Sequence, residues 1–317
     1  MIILRALITG VNGFVGIYLS EYLIKNGIEV WGTKLPHTSM PHQISSKIIV
    51  RDMDIINKEN IFEIIKECMP DYIFHLAAQS SVALSWENPQ LTININVNGT
   101  LNLLDAVRKS NKNIRILLIG SSEEYGIVKS EIISIDEDYP LNPTNPYAVS
   151  KMVQEYFALQ YINAYKMDII MVRAFNHIGP GQAPTFVVPD FAKKIAQIEK
   201  GLIEPVLFVG NLEAERDFTD VRDIVRAYFD IITAGKSGQV YNVGSNKTYK
   251  ISYILDLLLS MSNKKIIVKS DPSKMRPLDV PVIRCDNKKL VKLTSWSPQY
   301  KIEDTIKDVL NYWRINI

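Results

Sequence analysis

Only two of the 317 residues are cysteine, Cys68 in a predicted helix and Cys285 after a predicted strand. So few thiols exclude a disulfide-built fold, and neither lies near a cluster of metal-ligating residues, so no metal is expected. Two reduced, packed thiols in a cytoplasmic protein fit this usage. Long apolar runs are lacking too: none approaches the roughly 20 residues that span a bilayer, and no membrane partner is expected. The run Ile2–Ile8 is short, carries Arg5 and leads into a glycine turn, so it reads as a buried strand and not as a signal peptide. An excess of one charge is also missing. The 36 basic and 34 acidic residues are spread along the chain and leave a net charge of +2, without the basic stripe that nucleic acid requires. No low-complexity tract marks a disordered region.

Apolar residues make up 47% and charged residues 22%, the balance of a folded globular protein. At 317 residues the chain exceeds the limit of about 250–300 for a single core, which argues for a large domain and a smaller one. Short β-branched runs alternate with stretches of helical period, the pattern of βαβ units. Predicted strands are Leu4–Thr9, Glu29–Thr33, Lys47–Val50, Tyr72–Leu76, Arg115–Gly120, Asp168–Arg173 and Val240–Val243. Predicted helices are Gly13–Asn26, Lys58–Met69, Leu91–Asn111, Pro146–Tyr165 and Val221–Ala234. Together they give an α/β fold, a Rossmann-type doubly wound parallel sheet of about seven strands. From Phe175 the rhythm weakens, leaving a helix near Val187–Lys200 and a tail from Lys250 with two or three more. A nucleotide-binding domain of residues 1–174 and 213–247 and a smaller, mostly helical substrate domain of 175–212 and 248–317 are expected, with the ligand cleft between them.

A strand, the turn Gly10-Val11-Asn12-Gly13-Phe14-Val15-Gly16 and a helix follow one another. Glycines permit a tight turn and let backbone amides approach a pyrophosphate at the positive end of the helix. The second strand ends in Thr33-Lys34, without the acid that usually meets the ribose hydroxyls of NAD. Lys34 suits a 2′-phosphate, so NADP(H) is expected ahead of NAD(H). Asp54 and Ile55 after the third strand suit the adenine edge, and Leu76, Ala77 and Ala78 at the fourth strand's end join the cofactor side.

Tyr147 and Lys151 stand four apart, on one helical face. A phenol with a pKa of about 10 is a poor acid–base catalyst at neutral pH, and an adjacent ammonium pulls it toward the working range. Strand Arg115–Gly120 delivers Ser121 to its carboxyl end, where a hydroxyl can hold a carbonyl oxygen while Tyr147 handles the proton. Glu123, two residues on, can act as a general acid or base or bind sugar hydroxyls.

The order G-x-x-G-F-x-G, His75-Leu76-Ala77-Ala78, S-S-x-x-Y-G and Y-x-x-x-K resembles the extended short-chain dehydrogenase/reductase family over nearly the whole chain. The resemblance implies Ser121, Tyr147 and Lys151 as the catalytic set, with Lys151 also holding the nicotinamide ribose and Asn96 in a structural or proton-relay role. The segment Arg173 to Gln182, with Arg216-Asp217-Phe218-Thr219-Asp220-Val221 and Arg276-Pro277, resembles the branch of GDP-mannose 4,6-dehydratases and GDP-4-keto-6-deoxy-D-mannose reductases, and looks more like the reductases. That branch implies a nucleotide diphosphate held by Asn176, Arg216 and Arg276, since guanidinium groups bind phosphate oxygens bidentately. Asp279 stands where the branch often has a glutamate for the ribose. Ser81, Ser122, Val187 and Lys193 complete the expected substrate side. His75 and His177 read as structural.

The implied reaction is reduction of the C4 ketone of GDP-4-keto-6-deoxy-D-mannose to GDP-D-rhamnose. The alternatives are a GDP-mannose 4,6-dehydratase and a C4 reductase for a related GDP-6-deoxy-sugar or GDP-heptose; a nucleotide-sensing protein without chemistry is the rival of another class. A homodimer built on helices Leu91–Asn111 and Pro146–Tyr165 is also implied by the resemblance.

Overall fold

A computed structural model describes residues 3–41, 44, 46–110, 112–128, 134–274 and 281–317. Strands β1 (Arg5–Thr9), β2 (Glu29–Lys34), β3 (Ile49–Asp52), β4 (Tyr72–His75), β5 (Arg115–Ser121) and β6 (Asp168–Ala174) form one sheet with Val240–Val243. Its order is Val240–Val243, β6, β5, β4, β1, β2, β3, and every neighbouring pair is parallel. The chain winds outward from β1 through β2 to β3 and returns to β4 on the other side of β1. The crevice at the carboxyl ends of β1 and β4 is therefore the topological switch point, where such folds bind ligands. Register aligns Thr9 with Thr33 and with His75, and Ser121 with Ala174, so these strand ends share one rim.

Both faces of the sheet are covered, which is why its strands are apolar almost throughout. Helices α1 (Phe14–Lys25) and Val221–Ala234 bury Leu19, Leu23, Ile224, Tyr228 and Ile231 against one face. On the other face helices Lys58–Cys68, Gly99–Lys109 and Pro146–Tyr165 bury Ile61, Ile65, Leu103, Val107 and Ala158. A separate core of Phe191, Ile195, Ile254, Leu258, Ile306 and Leu310 joins helices Val187–Glu199, Ile251–Ser260 and Ile302–Ile315.

Three features depart from the sequence expectation. The predicted helix Leu91–Asn111 is a short helix, Pro89–Ile93, a π-helical turn, Asn94–Asn98, and then Gly99–Lys109; Asn111 lies outside the described residues. The second body also holds strands: Val206–Val209 pairs with Ile267–Ser270, and Glu215–Asp217 lies between Thr248–Lys250 and Val282–Ile283. These runs of two to four residues are too short to show a period. Finally, Leu290 and Trp296, from the tail assigned to the substrate domain, pack in the core on the α1 face of the main sheet, and the Trp296 indole donates to the Asp223 carbonyl at 3.1 Å.

Candidate active site

A cleft of about 580 Å³ opens at the switch point, between the glycine turn and the segment following β6. Gly10 has φ of +72° and lies so close to β4's exit that a Cβ would stand 3.0 Å from Ala77 Cα. At Gly16 a Cβ would fall 2.6 Å from the Val11 carbonyl oxygen, so the helix can start this near the turn only without a side chain. Gly13 caps α1 with no side-chain hydrogen bond, which leaves the first-turn amides open to an anion. Asn12 donates to Thr38 Oγ1 at 3.0 Å and to the Ser39 carbonyl at 3.2 Å, bracing the loop beyond β2. Phe14, Val15, Leu76, Ala77 and Ala78 line the same stretch.

At the outer end stand Thr33, Lys34, Asp54 and Ile55. Thr33 is buried, belongs to the cleft lining, and its hydroxyl has no partner within the protein. Lys34 pairs with Asp52 at 2.5 Å across the β2–β3 register. That acid comes from β3, beside the end of β2, a pairing that no single-strand motif shows. An orphaned hydroxyl, an unfilled glycine cradle and a cation at the rim together fit a dinucleotide.

The inner end carries the reactive groups. Asn145 and Pro146 start the helix that holds Tyr147 and Lys151: Asn145 Oδ1 accepts from the Ala148 amide at 2.8 Å, and its Nδ2 donates to Glu123 Oε2 at 3.0 Å. Tyr147 stands near Ser121, at the end of β5, and both line the cleft. Loss of solvent raises the Tyr147 phenol above its ordinary value, with the nearby Ser121 hydroxyl opposing and the charges of Glu124 and Glu123 adding. This corrects the expectation that Lys151 pulls the phenol down. Burial outweighs the pair, and the ammonium donates to the Ile119 carbonyl at 2.9 Å while lying 6.0 Å from the Tyr147 ring centre. Lys151 itself is lowered to about 8 by burial, with Glu124 opposing.

Glu124 is an acid the motif reading passed over in favour of Glu123. It is fully buried; Oε1 accepts from the Ser121 amide at 2.7 Å and Oε2 has no partner. Burial and the repulsion of Glu155 raise it to about 8. Glu155, one turn beyond Lys151, is held bidentately by Arg173 at 3.0 and 2.6 Å. A neutral Glu124 is what keeps this interior from carrying an unpaired carboxylate beside the paired Glu155.

Asn96, in the π-helical turn, donates to the Gln79 carbonyl at 3.0 Å and to Ser150 Oγ at 2.8 Å and accepts from the Gln79 amide at 2.8 Å. It ties the β4 exit to the catalytic helix, a structural role. His75 is bracketed by Thr9 at 2.8 Å and Thr100 at 3.0 Å, and burial followed by repulsion from Lys151 lowers it to about 3, so it stays neutral. His177 bonds the Phe175 carbonyl through Nδ1 and stacks on Phe14 with planes 5° apart, joining the glycine turn to the segment after β6.

Of the expected substrate residues, Ser122, Glu123 and Asn176 line the cleft. Ser81 does not: its hydroxyl caps helix Val82–Glu87, and its neighbours Ser80 and Val82 line the cleft instead. Val187 likewise yields to Phe186. Lys193 turns its ammonium over the Trp313 ring at 5.3 Å, on the contact between two helices of the second body. Arg216 is buried in the strand Glu215–Asp217 and donates to the Glu215 carbonyl at 2.8 Å, away from the cleft lining. Arg276 and Asp279 lie outside the described residues. Among the described residues no group of three or more His, Cys, Asp or Glu could hold a metal, and no helix is long and apolar enough to cross a membrane.

The family model described as GDP-mannose 4,6 dehydratase matches residues 7–309. The chain belongs to that family. It is thereby a nicotinamide-dependent oxidoreductase of the extended short-chain dehydrogenase/reductase type. The GDP-6-deoxy-D-mannose reductase of Pseudomonas aeruginosa is 33% identical over 313 residues, 99% of this chain and 98% of that protein. A GDP-mannose 4,6-dehydratase of Yersinia enterocolitica is 30% identical, with 96% of this chain and 92% of that protein aligned. Among solved structures, RMD from Pseudomonas aeruginosa complexed with NADPH superposes with a TM-score of 0.88 at 32% identity, covering 99% and 100% of the two chains. The UDP-glucose 4-epimerase of Thermus thermophilus complexed with NAD gives 0.89 at 27% identity, with 99% and 100% covered.

Proposed function

We propose that this enzyme reduces the C4 ketone of GDP-4-keto-6-deoxy-D-mannose to give GDP-D-rhamnose, with NADPH preferred over NADH. The Ser121–Tyr147 hydroxyl pair at the inner end of the cleft carries this reading, supported by likeness to a reductase along 99% of the chain. Reduction needs a proton donor for the nascent alkoxide, and a phenol that burial holds in its protonated form starts in the right state. The bound dinucleotide supplies the hydride. Ser121 holds the ketone oxygen and polarises it, Tyr147 protonates it as it becomes an alkoxide, and Lys151 stabilises the negative charge left on Tyr147. Asn145 fixes both the start of the catalytic helix and the Glu123 carboxylate.

Glu123 favours a second reading. A half-buried carboxylate in the cleft wall beside Tyr147 is what a 4,6-dehydratase would need to move a proton during loss of the C6 hydroxyl. Incubation with GDP-4-keto-6-deoxy-D-mannose and NADPH separates the two. Oxidation of NADPH with formation of the C4 alcohol is expected, whereas no oxidation, together with turnover of GDP-mannose, would replace the reductase by the dehydratase.

The surface supports a proposed homodimer. Val149, Tyr156 and Tyr165 on the catalytic helix, with Leu91 and Ile93 on the helical segment beside it and Trp86 in the short helix before that, leave apolar side chains exposed.

A further inference from the structure

Helix Val221–Ala234 presents Val221, Ile224, Val225, Tyr228, Ile231 and Ile232 to the sheet, the spacing of an apolar stripe. Tyr228 is the one member with a polar atom. Its side chain is fully buried, and its hydroxyl has no hydrogen-bond partner within the protein. A buried hydroxyl without a partner costs free energy that phenylalanine, filling the same space, would not. Tyr228 nevertheless forms part of the cleft wall, with Phe14, Ile119, Gly120 and Ala174. Burial, with Tyr147 nearby adding, raises its phenol above the ordinary value, which keeps it protonated and able to donate.

The two tyrosines reach the inner end of the cleft from opposite faces of the sheet. Tyr147 comes from the helix packed on the Ile61–Val107 face, and Tyr228 from the helix packed on the α1 face. A ketone held by Ser121 and Tyr147 requires the hydride-donating ring beside it. The carboxamide is the hydrogen-bonding substituent on that ring. We propose that Tyr228 is a positioning residue whose hydroxyl donates a hydrogen bond to the carboxamide oxygen of the bound nicotinamide, fixing the rotation of the ring and hence the face it turns to the substrate. The inference rests on the cleft taking a nicotinamide dinucleotide, and goes beyond it in assigning a role to a residue of the core stripe.

Tyr228→Phe tests it by equilibrium titration, followed through protein and cofactor fluorescence, with NADPH and with 2′,5′-ADP, which lacks the nicotinamide. Loss of one hydrogen bond is expected to weaken NADPH about tenfold and leave 2′,5′-ADP within about twofold of wild type. The variant's melting temperature should be no lower, because only an unpartnered hydroxyl is removed. Unchanged NADPH affinity, or equal weakening of both ligands, would overturn the assignment. Wild-type protein that binds NADPH but leaves the 4-keto sugar unreduced would instead sink the reductase reading and leave this one standing.

Discussion

At the scale of single residues the site is governed by burial more than by pairing. Tyr147 is held protonated by loss of solvent, and Lys151 is lowered to about 8. Two outcomes follow. Tyr147→Phe should lower kcat about 100-fold or more while NADPH binding, followed by fluorescence titration, changes little. In the wild type kcat should decline as pH rises through about 8, where Lys151 loses the charge that stabilises Tyr147 after proton transfer; a flat profile from pH 7 to 9.5 would remove that role. Lys34 predicts discrimination between cofactors. Lys34→Ala should weaken NADPH about tenfold or more and NADH little, since only the former presents a 2′-phosphate to the cation. Dissociation constants that rise equally for both cofactors would remove the 2′-phosphate role of Lys34, and constants that do not change would show that Asp52 neutralises Lys34 in the bound state too. Ser121, Tyr147 and Lys151 could be read from the sequence because strand ends and helical spacing bring them together. Glu124 could not, since its importance comes from the unpaired oxygen and from Glu155, thirty-one positions away in the chain. Charge and company in the sequence single out Arg216 and Lys193, and only the structure shows that Arg216 donates to a neighbouring carbonyl and that Lys193 lies over an aromatic ring.

At the scale of elements, the glycine turn sets how closely helix, strand and ligand approach. Gly16→Ala would place a methyl group 2.6 and 2.7 Å from two backbone oxygens, neither of which can move without reshaping the turn. Expected is loss of NADPH binding by at least tenfold and a lower thermal midpoint. Binding retained at wild-type strength would mean that the turn can relax. The parallel strands and their helices were legible because alternation of short apolar runs with amphipathic helices leaves few other folds open. The π-helical turn was not. Its distinguishing act is to turn Asn96 toward Gln79 and Ser150, a contact between segments 17 and 54 residues apart. The short strands of the second body escaped for the same physical reason, since pairing with distant partners defines them and no local period does.

At the scale of the whole molecule, two cores meet around the cleft, and buried acids of helix Val221–Ala234 and its cap fasten them. Asp223 accepts from the amides of Gln299 and Tyr300 at 2.9–3.0 Å, and Asp220 binds Arg222 and Thr305. That clasp explains why the tail does not partition cleanly at residue 248: Leu290 and Trp296 return to the first core before helix Ile302–Ile315 rejoins the second. The outer surface makes its own demand. Trp86 is 62% exposed and Tyr156 55%, on helical segments packed beside one another and flanked by Leu91 and Val149. Exposed apolar side chains on neighbouring helical segments suit an interaction site, and a two-fold axis lets one such face cover itself on a second copy. Light scattering at micromolar concentration should therefore give twice the 36.0 kDa of one chain. Trp86→Asp with Tyr156→Asp should give a monomer that still binds NADPH, since neither residue lines the cleft. A wild-type mass of one chain would leave these helices facing solvent and remove the dimer, while a dimer that survives both substitutions would move the interface elsewhere on the surface.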